Sequence, residues 1–570
     1  MKNRRNQHSE ALSVTLTRDL GLFDITMIGV GAMIGAGIFV LTGLAAGQAG
    51  PALLLAFFLN GLVALFTAAS YAELGAAFPE AGGGYAWVRE GLSPYFGFLS
   101  GWMSWFAQAI ACSLYSLGFG SFAARLLSLA DISIGSWPES TMSLLLAILA
   151  ATVFTIINVR GAAETGRIGS FLTLAKVVVL VVLIVFGAMA LLNRPDWGTE
   201  FAPFLPRGMG GVFTAMGLTA IAFEGYEVVT QSGEEAIDPQ RNIPRAIFIS
   251  IGVVVVVYLA VASVLLGAID APGGVPTWRF LGDHAEQAVV EAADQLVPYG
   301  KVLLLIGGVM STLSALNATL YSSSRISFAM GRNRDLPGVF GHVHPLRHTP
   351  HWAVTFSGVL VILMAVILPI KDVASAASII FMLLFVMVNI SVITLRRRSD
   401  AERSFKVPLM PLFPVLGIVS QLFLSINLFG LSPIAWYTTL IWIALGTAFY
   451  AAYASRAPAM VEPVPIIHEE IVAVAGYSVL IPVAGPAQAR MLGNLGSAVA
   501  RDKGGEVFAL HVVRVPRQLN ITDGRYFLKQ GKPILETVIE EAQERDVPVH
   551  TMIRLGRTTP NAILQTARER

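Results

Sequence analysis

A single cysteine, Cys112, stands in a chain of 570 residues. One thiol excludes a disulfide framework and a cysteine-built zinc site. Charge is scarce too: Asp, Glu, Lys and Arg make up 13% of the chain, against roughly 25% in soluble domains. The 39 basic and 37 acidic residues nearly cancel, and a net charge of +2 argues against a nucleic-acid partner. The basic N-terminal segment, residues 1–19, lacks a following short apolar region and small-residue cleavage site, so no cleaved signal peptide is expected. What fills the chain is apolar: 55% hydrophobic residues and a mean hydropathy of +0.66. These numbers describe a polytopic α-helical membrane protein.

Twelve apolar segments can be read between residues 20 and 455, each long enough to approach a bilayer of about 30 Å. They run near Ile25–Ala49, Pro51–Phe78, Tyr95–Leu127, Met142–Val159, Ile168–Leu192, Val212–Ser232, Ala246–Ile269, Val297–Met330, His351–Leu368, Ala374–Leu395, Pro411–Phe429 and Ile434–Ala454. Basic residues gather in alternate loops: Arg160 and Arg167 after span 4, Arg241 and Arg245 after span 6, and Arg396 to Arg398 after span 10. Positive charge stays inside, which predicts a multi-pass protein of the cytoplasmic membrane with both termini cytoplasmic.

Span 1 carries Gly29, Gly31, Gly35 and Gly37 within eleven residues, Gly29 to Phe39. Such spacing suits close helix packing or a helix that unwinds mid-membrane. Unwound backbone must line a cavity or be buried in protein, since lipid cannot satisfy it. Span 6 repeats the oddity: Ala222-Phe223-Glu224-Gly225-Tyr226-Glu227 puts a glycine and two carboxylates where charge is costly. Each of these spans opens a block of five. Matching interruptions in two halves point to a five-plus-five inverted repeat with its substrate site where the broken helices meet, followed by two more spans.

These residues resemble a known family. Gly31-Ala-Met-Ile-Gly-Ala-Gly-Ile-Phe39 is similar to the first-span motif of the amino acid–polyamine–organocation transporters. Tyr71-Ala-Glu73-Leu, Pro79 to Tyr85, Asn158 to Gly161, Glu234 to Pro244 and Ser324-Arg325 through Leu336-Pro337 follow the same family in order. The resemblance implies amino acid transport by alternating access, without enzymatic chemistry or a cofactor. It places the substrate α-carboxylate on backbone N–H groups of Ala36, Gly37 and Ile38, and the α-ammonium on carbonyls of Met33, Ile221 and Glu224. Phe223 is then either a lid over the site or plain core. Lys176, flanked by apolar sequence and too far from either end of span 5 to snorkel, is implied to replace the sodium of coupled relatives by donating to carbonyls near Gly29 or Val30. Burial disfavours its charged form and brings proton exchange within reach; the alternative is a permanently charged structural lysine. Glu224 either pairs with a cationic substrate side chain or stays protonated as a donor. Glu227 is a proton relay or an anchor. Glu73, Arg89, Arg160 and Arg325 fall at cytoplasmic ends, as gate ion pairs or interfacial anchors. His342, His344 and His348 lack carboxylate or cysteine companions and read as a solvated loop rather than a metal site.

A Pro-containing linker at residues 456–466 leads to a domain at 467–570 in which strands at Val479–Val483, Val507–Val513 and Val547–Arg554 alternate with helices, a parallel α/β pattern. Its order resembles the first half of a universal stress protein domain. Two departures argue against ATP as its ligand: Ala484-Gly485-Pro486 replaces the acidic residue common after strand 1, and the phosphate loop of that family lies beyond a fourth strand, whereas this chain stops at Arg570. An unpaired edge on Val479–Val483 invites self-association of the tail. The expected partners are thus an amino acid substrate, membrane lipid and a second tail. The expected function is secondary transport of neutral and/or cationic amino acids, proton-coupled or by sodium-independent exchange. The alternative is an amino acid sensor that signals through the tail.

Overall fold

The computed structural model describes residues 19–35, 37–78, 83–131, 137–161, 166–233, 235–344, 347, 349–398, 403–456, 466–470, 477–514, 528–556 and 559–569. The chain divides into two compact units, parted between Pro458 and Ala459. The first unit is helical because apolar backbone in lipid closes its hydrogen bonds within each segment. Span 1 is broken into α1 (Leu22–Met33) and α2 (Thr42–Ala49), joined by a π-helical turn at Gly37–Leu41. There follow α3 (Leu53–Ala77), α4 (Gly83–Gly91), α5 (Pro94–Leu129), α6 (Glu139–Arg160) and α7 (Gly166–Asn193). Span 6 is also broken, into α8 (Gly208–Thr219) and the short α9 (Tyr226–Gln231), around a 3-10 turn at Ala220–Phe223.

Then come α10 (Pro239–Gly267), the connecting helices α11 (Thr277–Asp283) and α12 (Ala288–Leu296), and α13 (Gly300–Arg332). Four helices complete the unit: α14 (His351–Ile367), α15 (Ile370–Arg398), α16 (Leu412–Asn427) and α17 (Pro433–Ala452). Local chemistry sets several ends. Proline occupies the first turn of α5, α10 and α17, where its missing N–H costs nothing. The Ser432 hydroxyl accepts from the Ala435 N–H and caps α17. Among the described residues ten stretches are long and apolar enough to cross a membrane; the first, Leu22–Ala77, holds two of the expected spans, and the ninth expected span appears as the 17-residue α14. Large apolar side chains such as Leu149, Val185, Val359, Ile426 and Ile441 face outward, the inverse of a soluble protein and the surface lipid requires.

The interior is packed through small residues. α1 lies against α7, α9 and α10. α2 lies against α11 and the turn that follows it, where a methyl group on Gly43 would collide with the Ala285 carbonyl oxygen and one on Gly47 would stand 3.0 Å from the Gly282 Cα.

The second unit carries a sheet in the order β1-β4-β3-β2, with β1 Ile466–Glu470, β2 Ser478–Val483, β3 Glu506–Arg514 and β4 Val549–Gly556. β2, β3 and β4 are parallel, as the strand–helix alternation predicts, and β2 pairs Val479 with Val507 at one edge. β1 adds a fourth strand to the three read from the sequence. It starts at Ile466 and runs antiparallel to β4, setting Glu469 opposite Met552. Helices α18 (Pro486–Asp502), α19 (Leu528–Gln543) and α20 (Thr559–Glu569) follow β2, β3 and β4. Alternation along β3 buries both of its faces: Val507, Ala509 and Val513 join Ala489, Leu535 and Val538, while Phe508 and Leu510 join Met552 and Ile563.

Candidate functional site

The two helix breaks meet. A methyl group on Gly37 would come within 2.5 Å of the Ala222 Cβ, so the interrupted centres of spans 1 and 6 are in contact through glycine. Gly225 adopts φ +133, a region closed to most side chains, and a Cβ there would sit 2.7 Å from the Met33 backbone nitrogen. The packing and unwinding readings of the span 1 glycines therefore both hold, at different residues. Gly37 and Ile38 are fully buried and open the turn that leads into α2, so their N–H groups belong to a helix start, which favours negative charge. Ala36 lies outside the described residues.

Two of the three carbonyls expected to be free, those of Met33 and Ile221, are already engaged. The hydroxyl of Tyr258, on α10, lies 2.8 Å from the Met33 carbonyl oxygen and 3.0 Å from that of Ala222. One proton thus serves one acceptor from each break. The Ile221 carbonyl accepts from the Glu224 N–H at 3.3 Å, closing the 3-10 turn, and the Ile221 N–H donates to Ser378 Oγ at 3.2 Å. On α13, Ser311 donates toward the carbonyls of Ile34 and Gly35, at 3.3 and 3.1 Å. Tyr258, Ser311 and Ser378 escaped the sequence reading. The one available signal was a lone hydroxyl inside an apolar run, clearest for Tyr258 after five consecutive valines. Replacing Tyr258 by phenylalanine leaves two buried carbonyls competing for no donor, and should lower stability by about 1–3 kcal/mol. Thermal unfolding of the purified variant in detergent measures this, and an unaltered midpoint would show that the bridge is dispensable.

Lys176 is 2% exposed and donates to the Gly31 carbonyl at 3.4 Å and to Ser314 Oγ at 3.5 Å. The expected partners Gly29 and Val30 are corrected to Gly31: the Val30 carbonyl accepts the Ile34 N–H at 2.7 Å, and Gly29 faces Ser250 and Val229. A methyl group on Gly31 would collide with Thr173, so glycine lets α7 bring Thr173 and Lys176 onto α1.

Phe223 is buried, with its ring 5.2 Å from Tyr258 and 6.1 Å from Phe57. Glu227 accepts the Gly225 N–H at 2.6 Å, a carboxylate at the start of α9 that satisfies the break's own donor. Glu224 points elsewhere. It lines a pocket at the span 6 break, walled by Asn60 of α3, Phe223, Tyr226, Phe385 of α15 and Gln421 of α16.

Ion pairs tie both ends of the unit. Glu73, at the end of α3 and with no exposed surface, accepts from Arg396, Arg403 and the Val407 N–H. Arg89 of α4 meets Asp335 at 2.9 Å, and the Tyr85 hydroxyl donates to the same carboxylate. Arg325 lies over the Tyr321 ring and Arg160 is exposed. At the opposite end Glu291 bridges Arg125 and Lys301. Burial pushes the Glu291 carboxyl up, but hydrogen bonds from Lys301 and Arg125 outweigh it and hold the group below the usual carboxylate range. The rings of His342 and His344 approach His351, while His348 lies outside the described residues; no metal-holding group occurs among the described residues.

Paired helix breaks buried at the centre of a many-span helical unit, with a lysine and two carboxylates around them, define a membrane transport protein rather than an enzyme. The profile of the amino acid permease family matches residues 20–450, and the chain belongs to that family. It is 32% identical to the branched-chain amino acid permease BcaP of Bacillus subtilis over 456 residues, 78% of this chain and 94% of the relative. It is 30% identical to the methylthioribose transporter of the same organism, over 79% of this chain and 96% of that one. A chloroplastic cationic amino acid transporter 9 from Arabidopsis thaliana is 32% identical over 58% of each chain.

Proposed function

We propose that the chain is a secondary active transporter that moves neutral and/or cationic amino acids across the cytoplasmic membrane by alternating access, proton-coupled or by sodium-independent exchange. The meeting of the two breaks supports this reading most directly. Gly37 against Ala222, with Tyr258 bridging Met33 and Ala222, puts a helix start and interrupted backbone side by side, as a zwitterion requires. In this reading spans 1–5 and 6–10 form the inverted repeat, two spans follow, and both termini are cytoplasmic. The Gly37 and Ile38 N–H groups, with those of Ala36, take the α-carboxylate, the Glu224 carbonyl takes the α-ammonium, and Lys176 carries the coupling charge. The BcaP name favours branched aliphatic substrates and the transporter 9 name basic ones.

Counterflow tests the reading. Proteoliposomes loaded with unlabelled leucine should accumulate labelled leucine through the purified full-length chain. Binding without exchange would establish the sensor instead.

The second unit is a universal stress protein-like tail, its β2 edge open to a second tail. Every residue assigned to the site precedes Ala454, so a chain ending at Arg456 should retain counterflow within about twofold of wild type. Loss of substrate binding on truncation would place the tail in the transport cycle.

A further inference from the structure

We propose that the pocket at the span 6 break is a cation subsite, which takes the terminal ammonium or guanidinium group of a basic amino acid with the Glu224 carboxylate as counter-charge. The inference rests on the amino acid transport reading and deepens it by naming a substrate class. Glu224 is 6% exposed, and neither carboxylate oxygen has a hydrogen-bond partner among the described residues. A buried carboxylate without a donor is costly, and the Asn60 amide supplies none. Asn60 spends its NH2 group on the Met216 carbonyl at 2.9 Å and Thr219 Oγ1 at 3.0 Å, which leaves its carboxamide oxygen as an acceptor. Phe223, Tyr226 and Phe385 add aromatic surface, and a carboxylate beside aromatic faces and an amide oxygen is a setting for an organic cation.

The neighbouring groups keep the two charges apart. Glu227 is occupied by the Gly225 N–H at 2.6 Å, so Glu224 is the carboxylate left for a ligand. The helix start at Gly37 favours an anion on one side of the span 6 break, whereas Glu224 favours a cation in the pocket walled by α3, α15 and α16. A basic amino acid presents both charges on one molecule, with a flexible alkyl chain between them.

Displacement of labelled leucine from the purified full-length chain by lysine and by norleucine, equal in carbon count but lacking the terminal charge, tests the subsite. Lysine should displace leucine from wild type, and Glu224→Gln should weaken lysine at least tenfold more than norleucine. Gln421→Leu, in the same pocket, should weaken lysine in the same direction, and decides the matter if Glu224→Gln fails to fold. Displacement by norleucine but not lysine in wild type overturns the inference while leaving the transport reading intact, as does equal loss of both ligands in the variants. Retained lysine binding in Glu224→Gln, with the pH dependence of uptake lost, also overturns it and makes the carboxyl a proton carrier. If leucine, norleucine and lysine all fail to bind wild type, the transport reading falls and the subsite with it.

Discussion

Uptake by the wild-type chain is expected to need no sodium and to rise severalfold on acidification of the outer medium, and Lys176→Ala is expected to make the rates at acid and neutral pH converge. Lys176 is 2% exposed and sits where α7 crosses α1, with its ammonium toward the Gly31 carbonyl. That carbonyl lies one turn before the break, so the lysine's charge acts on the backbone to which the proposed transport reading assigns the substrate carboxylate. A buried ammonium can give up its proton where a guanidinium cannot. Lys176→Arg should therefore fold with its charge retained and show the same flat pH profile as the alanine variant. Initial rates in proteoliposomes at several pH values, with and without sodium, measure all three chains. A strict sodium requirement in wild type would sink the coupling role.

Glu73→Ala should destabilise the protein by about 3–5 kcal/mol, since removing one partner of a buried ion pair strands the other. The Arg403 side chain is 5% exposed and that of Arg396 24%. Without Glu73 the first has no route to water, and the Val407 N–H loses its acceptor at 2.7 Å. The end of α3, the end of α15 and the segment before α16 are held together at this carboxylate. The expected signs are a lowered midpoint of thermal unfolding in detergent and poor recovery of monodisperse protein. Glu73→Gln, which keeps an acceptor of the same shape, should fall between. A wild-type midpoint for Glu73→Ala would mean that the two arginines are solvated after all.

Much of this was legible in advance because a bilayer is a simple solvent. Lipid forces apolar runs into helices, so α5, α13 and α15 lie within a few residues of the segments read from hydropathy. The breaks were legible because glycine and carboxylate are expensive there. What escaped depends on which way a side chain turns. Nothing in Ala222-Phe223-Glu224-Gly225 says that Glu224 shares a pocket with Asn60 of α3 and Gln421 of α16; only the packing of those helices brings them together. The choice of Gly31 over Val30 as the lysine's partner goes with the Ile34 N–H claiming the Val30 carbonyl. Likewise β1 reads as Ile-Ile-His-Glu-Glu, too short and too charged to declare a strand until β4 offers it an edge.

The contact between α2 and α11 acts as a gearing. Gly43 lies against the Ala285 carbonyl and the Ala288 methyl and Gly47 against the Gly282 backbone, with no long side chain between to tilt or compress. A bearing with no cushion transmits displacement rather than absorbing it. The second half of span 1 and the connecting helices before α13 are therefore coupled by close contact, and a displacement of one that keeps this contact must carry the other. An alanine at position 43 would not merely crowd that joint; it would prise the lever from the part it drives.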